Sequence, residues 1–201
     1  MNKRLLMIFV RNPEYGKVKS RIARDTGPDI ALKIYNRLLE YTRQTTIQLP
    51  VTKEIHYSEH VASPDLWNER LFHKTIQQGE DLGIRMEHAF RDAFERGFRE
   101  VILIGSDCYE LTEQILTDAF EKLSKHDICI GPAKDGGYYL IGLKQVPNGI
   151  FKNKIWGESK VLSDTLKDLD SYDVALLKEL NDIDTIEDVR SHPDLKLYLN
   201  R

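Results

Sequence analysis

Val101-Ile102-Leu103-Ile104-Gly105-Ser106-Asp107 is the most apolar short run in the chain, and a serine and an aspartate cut it off sharply. Aliphatic residues in a row with no polar alternation are the pattern of a strand buried on both faces, which arises where helices cover both sides of a sheet. Working outward, residues 5–10 repeat the pattern and break at Arg11-Asn12-Pro13-Glu14-Tyr15-Gly16, where proline and glycine announce a loop. Further strands are predicted over 51–57, 127–131, 138–143 and 174–177, and over 71–77, whose polar content places it nearer an edge. Stretches of helical period separate them, over 28–49, 81–97, 111–124 and 158–169, and Thr185 caps a short helix over 186–190. This alternation predicts an α/β fold with helices on both faces of one sheet. Residues 144–156 are the least regular and suit a loop lying over a site.

At 201 residues the chain can bury one sizeable core, so one domain over 1–201 is expected. A composition of 41% hydrophobic and 30% charged residues is that of a globular protein and gives no support to disorder. The net charge of −3 argues against a general nucleic-acid binder, which needs surplus Lys and Arg to displace phosphate counterions. Cys108 and Cys129, the only cysteines, lie beside or within apolar runs and read as free thiols of a reducing compartment. In residues 1–10 two basic residues are followed by only six apolar ones before Arg11, too few for a signal-peptide core or a membrane span. A cytoplasmic location is expected.

Four segments could carry chemistry, each at a predicted strand exit or beside one. Arg11, Lys17, Lys19 and Arg21 follow the first strand, in a loop running into a helix, and form a candidate phosphate site; a solvated basic loop is the competing reading. Neither Gly-x-x-x-x-Gly-Lys-Ser/Thr nor Gly-x-Gly-x-x-Gly is present, so the chain is neither an ordinary P-loop ATPase nor a standard dinucleotide-binding dehydrogenase. Asp107, where the buried strand emerges, is placed to bind Mg²⁺ or Mn²⁺ through hard oxygen, or simply to cap the following helix. Cys108 beside it reads as a buried thiol rather than a nucleophile. In Gly131-Pro132-Ala133-Lys134-Asp135-Gly136-Gly137, the paired glycines let a ligand approach the backbone and Asp135 could act as a base, although Asp-Gly is also a plain turn signal. Asp182 and Asp184, two residues apart in an extended segment, point to one side and could clamp a metal.

Together these segments resemble the glycosyltransferase A-type superfamily of nucleotide-dependent transferases, and most closely its bacterial DUF2064, or selenodomain-associated transferase, subfamily. The resemblance rests on Lys19-Ser20-Arg21, on residues 78–86, on Gly105-Ser106-Asp107-Cys108, on the long Asp-Gly-Gly-Tyr segment over 131–143 and on Asp182-Ile183-Asp184-Thr185-Ile186-Glu187-Asp188. It implies a three-layer α/β/α sandwich with a mixed, mainly parallel sheet of about seven strands. It further implies a metal at Asp107 assisted by Asp182 and Asp184, phosphates on Lys19 and Arg21, a nucleotide near Gln78 and Arg85, and an acceptor facing Asp135, Gly136 and Gly137. Tyr109 and Ile186 stand where the family usually has proline. The implied activity is transfer of a sugar from a nucleotide-diphospho-sugar to a small acceptor; nucleotidyl transfer with pyrophosphate release and non-catalytic nucleotide binding are the alternatives. Either transfer needs Asp107 within about 10 Å of the 182/184 pair, since one ion holds its ligands at about 2.0 to 2.6 Å.

Overall fold

The computed structural model describes residues 3–200. Met1 and Asn2, part of the N-terminal stretch discussed above, lie outside the described residues.

Seven strands form one sheet: β1 (Arg4–Val10), β2 (Thr52–Tyr57), β3 (His73–Ile76), β4 (Glu100–Ile104), β5 (Ile128–Pro132), β6 (Tyr138–Leu143) and β7 (Val174–Leu176). Their order is β3-β2-β1-β4-β6-β5-β7. β3, β2, β1 and β4 pair in parallel, β6 runs antiparallel to both β4 and β5, and β5 pairs with β7 in parallel. The sheet is thus mixed and mainly parallel.

Side chains of a strand alternate between faces, and β1 shows where each half goes. Leu6, Ile8 and Val10 enter one apolar cluster with helices α1 (Ser20–Thr26), α2 (Pro28–Thr46) and α4 (Glu113–Lys125). Leu5, Met7 and Phe9 enter a second, with α3 (Leu82–Glu95) and α5 (Val161–Asp168). Burial on both faces is what the unalternated runs at 5–10 and 101–104 demand. The short helices α6 (Ile186–Ser191) and α7 (Pro193–Lys196) close the first face through Val189 and Leu195. Among the described residues, no helix is long and apolar enough to cross a membrane.

The differences from expectation lie at ends and in short elements. The loop after β1, which carries Arg11, Lys17 and Lys19, runs into a separate short helix, α1, where Lys19 takes a left-handed backbone (φ 47°) and turns the chain before Ser20. The strand expected over 71–77 shrinks to four residues at the sheet edge, the position its polarity indicated. Ile150 and Phe151 anchor the irregular 144–156 segment against α3, with Phe151 stacked on Phe90 at 5.9 Å. Thr185 and Asp188 form a complete capping box for α6, which lets Ile186 take the first helical position.

Candidate functional site

The order of the sheet determines where a ligand can sit. β1 has β2 on one side and β4 on the other, so the segments leaving their carboxyl ends part in opposite directions and open a crevice. A cavity of about 750 Å³ lies there, lined among others by Arg11, Lys19, Arg21, Arg85, Asp107 and Asp184. Because β6 is antiparallel, with Leu140 opposite Ile104, its amino end arrives at the same rim and brings Asp135 to Gly137 with it. The 181–184 segment is delivered by the extension of β5: the Leu180 amide donates to the Pro132 carbonyl (3.1 Å) and the Lys134 amide to the Leu180 carbonyl (3.0 Å). One more bond, from the Ile183 amide to the Asp107 carbonyl (2.9 Å), ties that segment to the exit of β4.

Lys19 is the centre of this arrangement. Its side chain is only 5% exposed, and its Nζ lies 3.0 Å from Asp107 Oδ1 and 3.0 Å from Asp184 Oδ1. The two Oδ1 atoms are therefore at most twice that distance apart, with the Lys19 ammonium between them. Burial alone would lower the Lys19 pKa, but the charges of Asp107 and Asp184 outweigh it and hold the ammonium above the usual lysine value. Arg21 adds a second cation 3.8 Å from Asp184 Oδ2. Asp182 is pushed up to about 7, first by burial and then by the negative charges of Asp107 and Asp184, which Lys19 only partly offsets.

The loops are held by groups that the sequence reading did not single out. Asn12 is buried; its Oδ1 accepts from the Ser58 hydroxyl and from the Glu59 and His60 amides, and its Nδ2 donates to the His60 carbonyl at 2.8 Å. The Tyr35 hydroxyl, rising from α2, accepts from the Arg11 amide (2.8 Å), donates to the Arg11 carbonyl and lies 3.4 Å from Ser106 Oγ. Gln77 donates to the carbonyls of His56 (2.8 Å) and Val10 (3.2 Å), bridging the ends of β2 and β1. Arg85 is aimed by its own bond to the Gly79 carbonyl at 2.9 Å.

Residues 39–158 match the family described as an uncharacterized protein conserved in bacteria, DUF2064. The chain belongs to this family. Among solved structures, the DUF2064 chain is 33% identical to a proposed nucleotide-diphospho-sugar transferase from Desulfovibrio desulfuricans G20, with a TM-score of 0.87 over 94% of this chain and 85% of that one. It shares its fold with 4-diphosphocytidyl-2C-methyl-D-erythritol synthase from Anaerococcus prevotii DSM 20548 (11% identity, TM-score 0.60, 98% and 96% covered). It likewise resembles Rv0371C from Mycobacterium tuberculosis H37Rv, solved in complex with manganese (13% identity, TM-score 0.51, 93% and 96% covered). The fold is that of the nucleotide-diphospho-sugar transferases. No protein of curated function matches.

The DUF2064 site brings Arg11, Lys19, Arg21, Arg85, Asp107 and Asp184 around one cavity, whereas Asp135, Gly137 and Asp182 line a smaller one next to it. Gln78 is exposed and lines neither; its neighbour Gln77 takes the inward place, a difference of one residue in an extended segment. Gly136 serves the fold, since a Cβ there would lie 2.1 Å from the Ser159 carbonyl oxygen. The Cys108 thiol is free and buried, and burial holds its pKa well above the usual thiol range. Three carboxylates offer the hard oxygens that Mg²⁺ or Mn²⁺ prefers, and the buried Asp107 Oδ1, which makes no well-directed hydrogen bond, has the Lys19 ammonium 3.0 Å away as its counter-charge. The Lys19 ammonium stands between two of them. Among the described residues, only Glu14, Glu59 and His60 bring three ligand atoms within 4.8 Å of one another, and Lys17 already pairs with Glu14 at 2.7 Å.

Proposed function

We propose that this protein is a single-domain, metal-dependent transferase that takes a nucleotide-diphospho-sugar in the larger cavity and passes the sugar to a small acceptor. The observation that carries the reading is the facing of Arg11, Lys19, Arg21 and Arg85 with the Asp107 and Asp184 carboxylates across one cavity of about 750 Å³, within the range of nucleotide-sized sites. The 33% identity to a proposed nucleotide-diphospho-sugar transferase supports it.

The difficulty in such a transfer is the negative charge that grows on the departing diphosphate. Arg11, Arg21 and Arg85 bind and neutralise its oxygens, and Lys19, already desolvated, stays charged because two carboxylates hold its proton. Asp107 and Asp184 would hold Mg²⁺ or Mn²⁺, with Asp182 as third carboxylate; the metal when bound supplies Lewis-acid compensation of the same charge. On the acceptor side, Asp135 Oδ1 is engaged by the Gly137 amide at 2.8 Å, so Oδ2 is the atom that receives the acceptor proton.

Purified protein is incubated with Mg²⁺ or Mn²⁺ and panels of nucleotide sugars and nucleoside triphosphates. Release of a nucleoside diphosphate supports sugar transfer. Release of pyrophosphate replaces this reading with nucleotidyl transfer. Nucleotide binding that persists without metal, and yields no product with any acceptor, leaves a non-catalytic nucleotide-binding protein.

A further inference from the structure

A second cavity of about 210 Å³ adjoins the first, and the two share Phe9, Leu82 and Gly105 in their walls. Its character is opposite. Phe9, Met86, Leu103, Tyr138, Trp156 and Val161 supply apolar surface, with Trp156 set edge-on to Tyr138 at 6.5 Å between ring centres. Its charged lining residues are Asp135, Glu158 and Asp182, all acidic, whereas the cationic lining residues belong to the larger cavity.

Gly105 marks the passage between them. Its backbone is not left-handed, and a Cβ built there would meet nothing within 4 Å, so neither turn geometry nor packing calls for glycine. A side chain there would project into the open space at the junction of the two cavities, so glycine leaves the passage unobstructed.

We propose that the smaller cavity binds the acceptor and that this acceptor is an apolar alcohol with a body about the size of one ring, its hydroxyl turned to the carboxylate of Asp135. This rests on the larger cavity holding the nucleotide. Three physical arguments select the class. An all-acidic lining repels phosphorylated or carboxylated acceptors. An apolar wall leaves the many hydroxyls of a free sugar without partners, and every polar group buried unpaired weakens binding. A cavity of about 150 Å³ accommodates benzene, so the space here fits one ring bearing a short hydroxyl arm.

The test uses benzyl alcohol as probe, with glucose and glucose 1-phosphate as comparators, titrated into the full chain and followed by amide NMR. Titrations run with and without Mg²⁺ and whichever of UDP, GDP or CDP binds. The expected result is a saturable shift centred on Gly137, Tyr138 and Val161, with benzyl alcohol binding at least about tenfold tighter than glucose 1-phosphate. Two variants that touch only the smaller cavity, Trp156→Ala and Val161→Phe, weaken the alcohol by about tenfold while nucleotide affinity stays within about twofold. Absence of a saturable shift, equal or tighter binding of glucose or its phosphate, or unchanged alcohol affinity in both folded variants overturns the proposal. Failure of every nucleotide to bind sinks the proposed function instead, and the nucleotide-free titration still decides the cavity.

Discussion

Replacing Lys19 by methionine keeps the length and apolar stem of the side chain and removes only its charge. In the native protein that charge lies 3.0 Å from each of two carboxylates and offsets the field that raises Asp182. Breaking a fully buried ion pair costs about 3–5 kcal/mol. Asp107 and Asp184 each keep 40% of their side chain exposed, so water recovers part of that loss, and about 2 kcal/mol is the expected destabilisation. For a chain of this size that corresponds to a fall in Tm of about 4–8 °C. The same substitution frees the carboxylates from their internal cation, so Mn²⁺ should raise the Tm of Lys19→Met by several degrees more than it raises the native Tm. Thermal unfolding by circular dichroism, in chelator and in millimolar Mn²⁺, reads both effects. A variant that melts with the native protein in chelator, or gains no more from Mn²⁺, would refute the placement of Lys19 as the site's resident counter-ion.

Glu54 offers a test of charge in the scaffold. Burial would raise its pKa, but His56 and the two-pronged contact of Arg96 (2.5 and 2.9 Å) outweigh burial and take it down to about 2. Unfolded, the side chain returns to its ordinary 4.5 and takes up a proton that the folded form refuses, so its stabilisation is full above that value and fades as pH falls toward 2. Glu54→Gln should lose about 2 kcal/mol at pH 7, discounted for partial solvent screening, and show a flatter decline of urea midpoint between pH 5 and 2. An identical decline in both proteins would exclude Glu54 as its source. Gly136→Ala forces a left-handed backbone (φ 89°) on alanine and drives a Cβ into the Ser159 carbonyl; a loss of about 1–3 kcal/mol and an altered Trp156 emission are expected. Cys108→Ala should retain nucleotide-dependent turnover, whereas Asp107→Asn abolishes it; the reverse pattern in a steady-state assay would turn the chemistry into that of a thiol hydrolase.

The frame of the fold is legible because its strongest signals are local. Runs such as Val101 to Ile104 carry their two-sided burial in composition, and the abrupt change at Ser106-Asp107 locates the rim. Long-range geometry was less accessible. Tyr35 fits the apolar stripe of α2, and nothing in that period reveals that its hydroxyl serves the Arg11 loop. Asn12 looks like an ordinary turn residue until the 58–60 segment closes around it. Gln77 rather than Gln78 lines the cavity, because neighbouring side chains in extended backbone face opposite ways, and pattern alone does not say which of the two faces inward. The smaller cavity draws Phe9, Met86, Leu103, Tyr138 and Trp156 from five separate stretches, the first four of which read as core by themselves.

The reversed direction of β6 has a consequence for how such a protein can diversify. Everything from Asp135 to Val161 that faces either cavity faces the smaller one, while the larger cavity draws on the end of β1, the segments that follow β1 to β4, helices α1 to α3 and Asp184. Had β6 run with its neighbours, its leading turn would have emerged at the far end of the sheet. Instead one hairpin and its trailing segment bring Asp135, Tyr138, Trp156 and Val161 to the rim where the cationic residues gather, so two cavities of opposite character share one edge of the sheet.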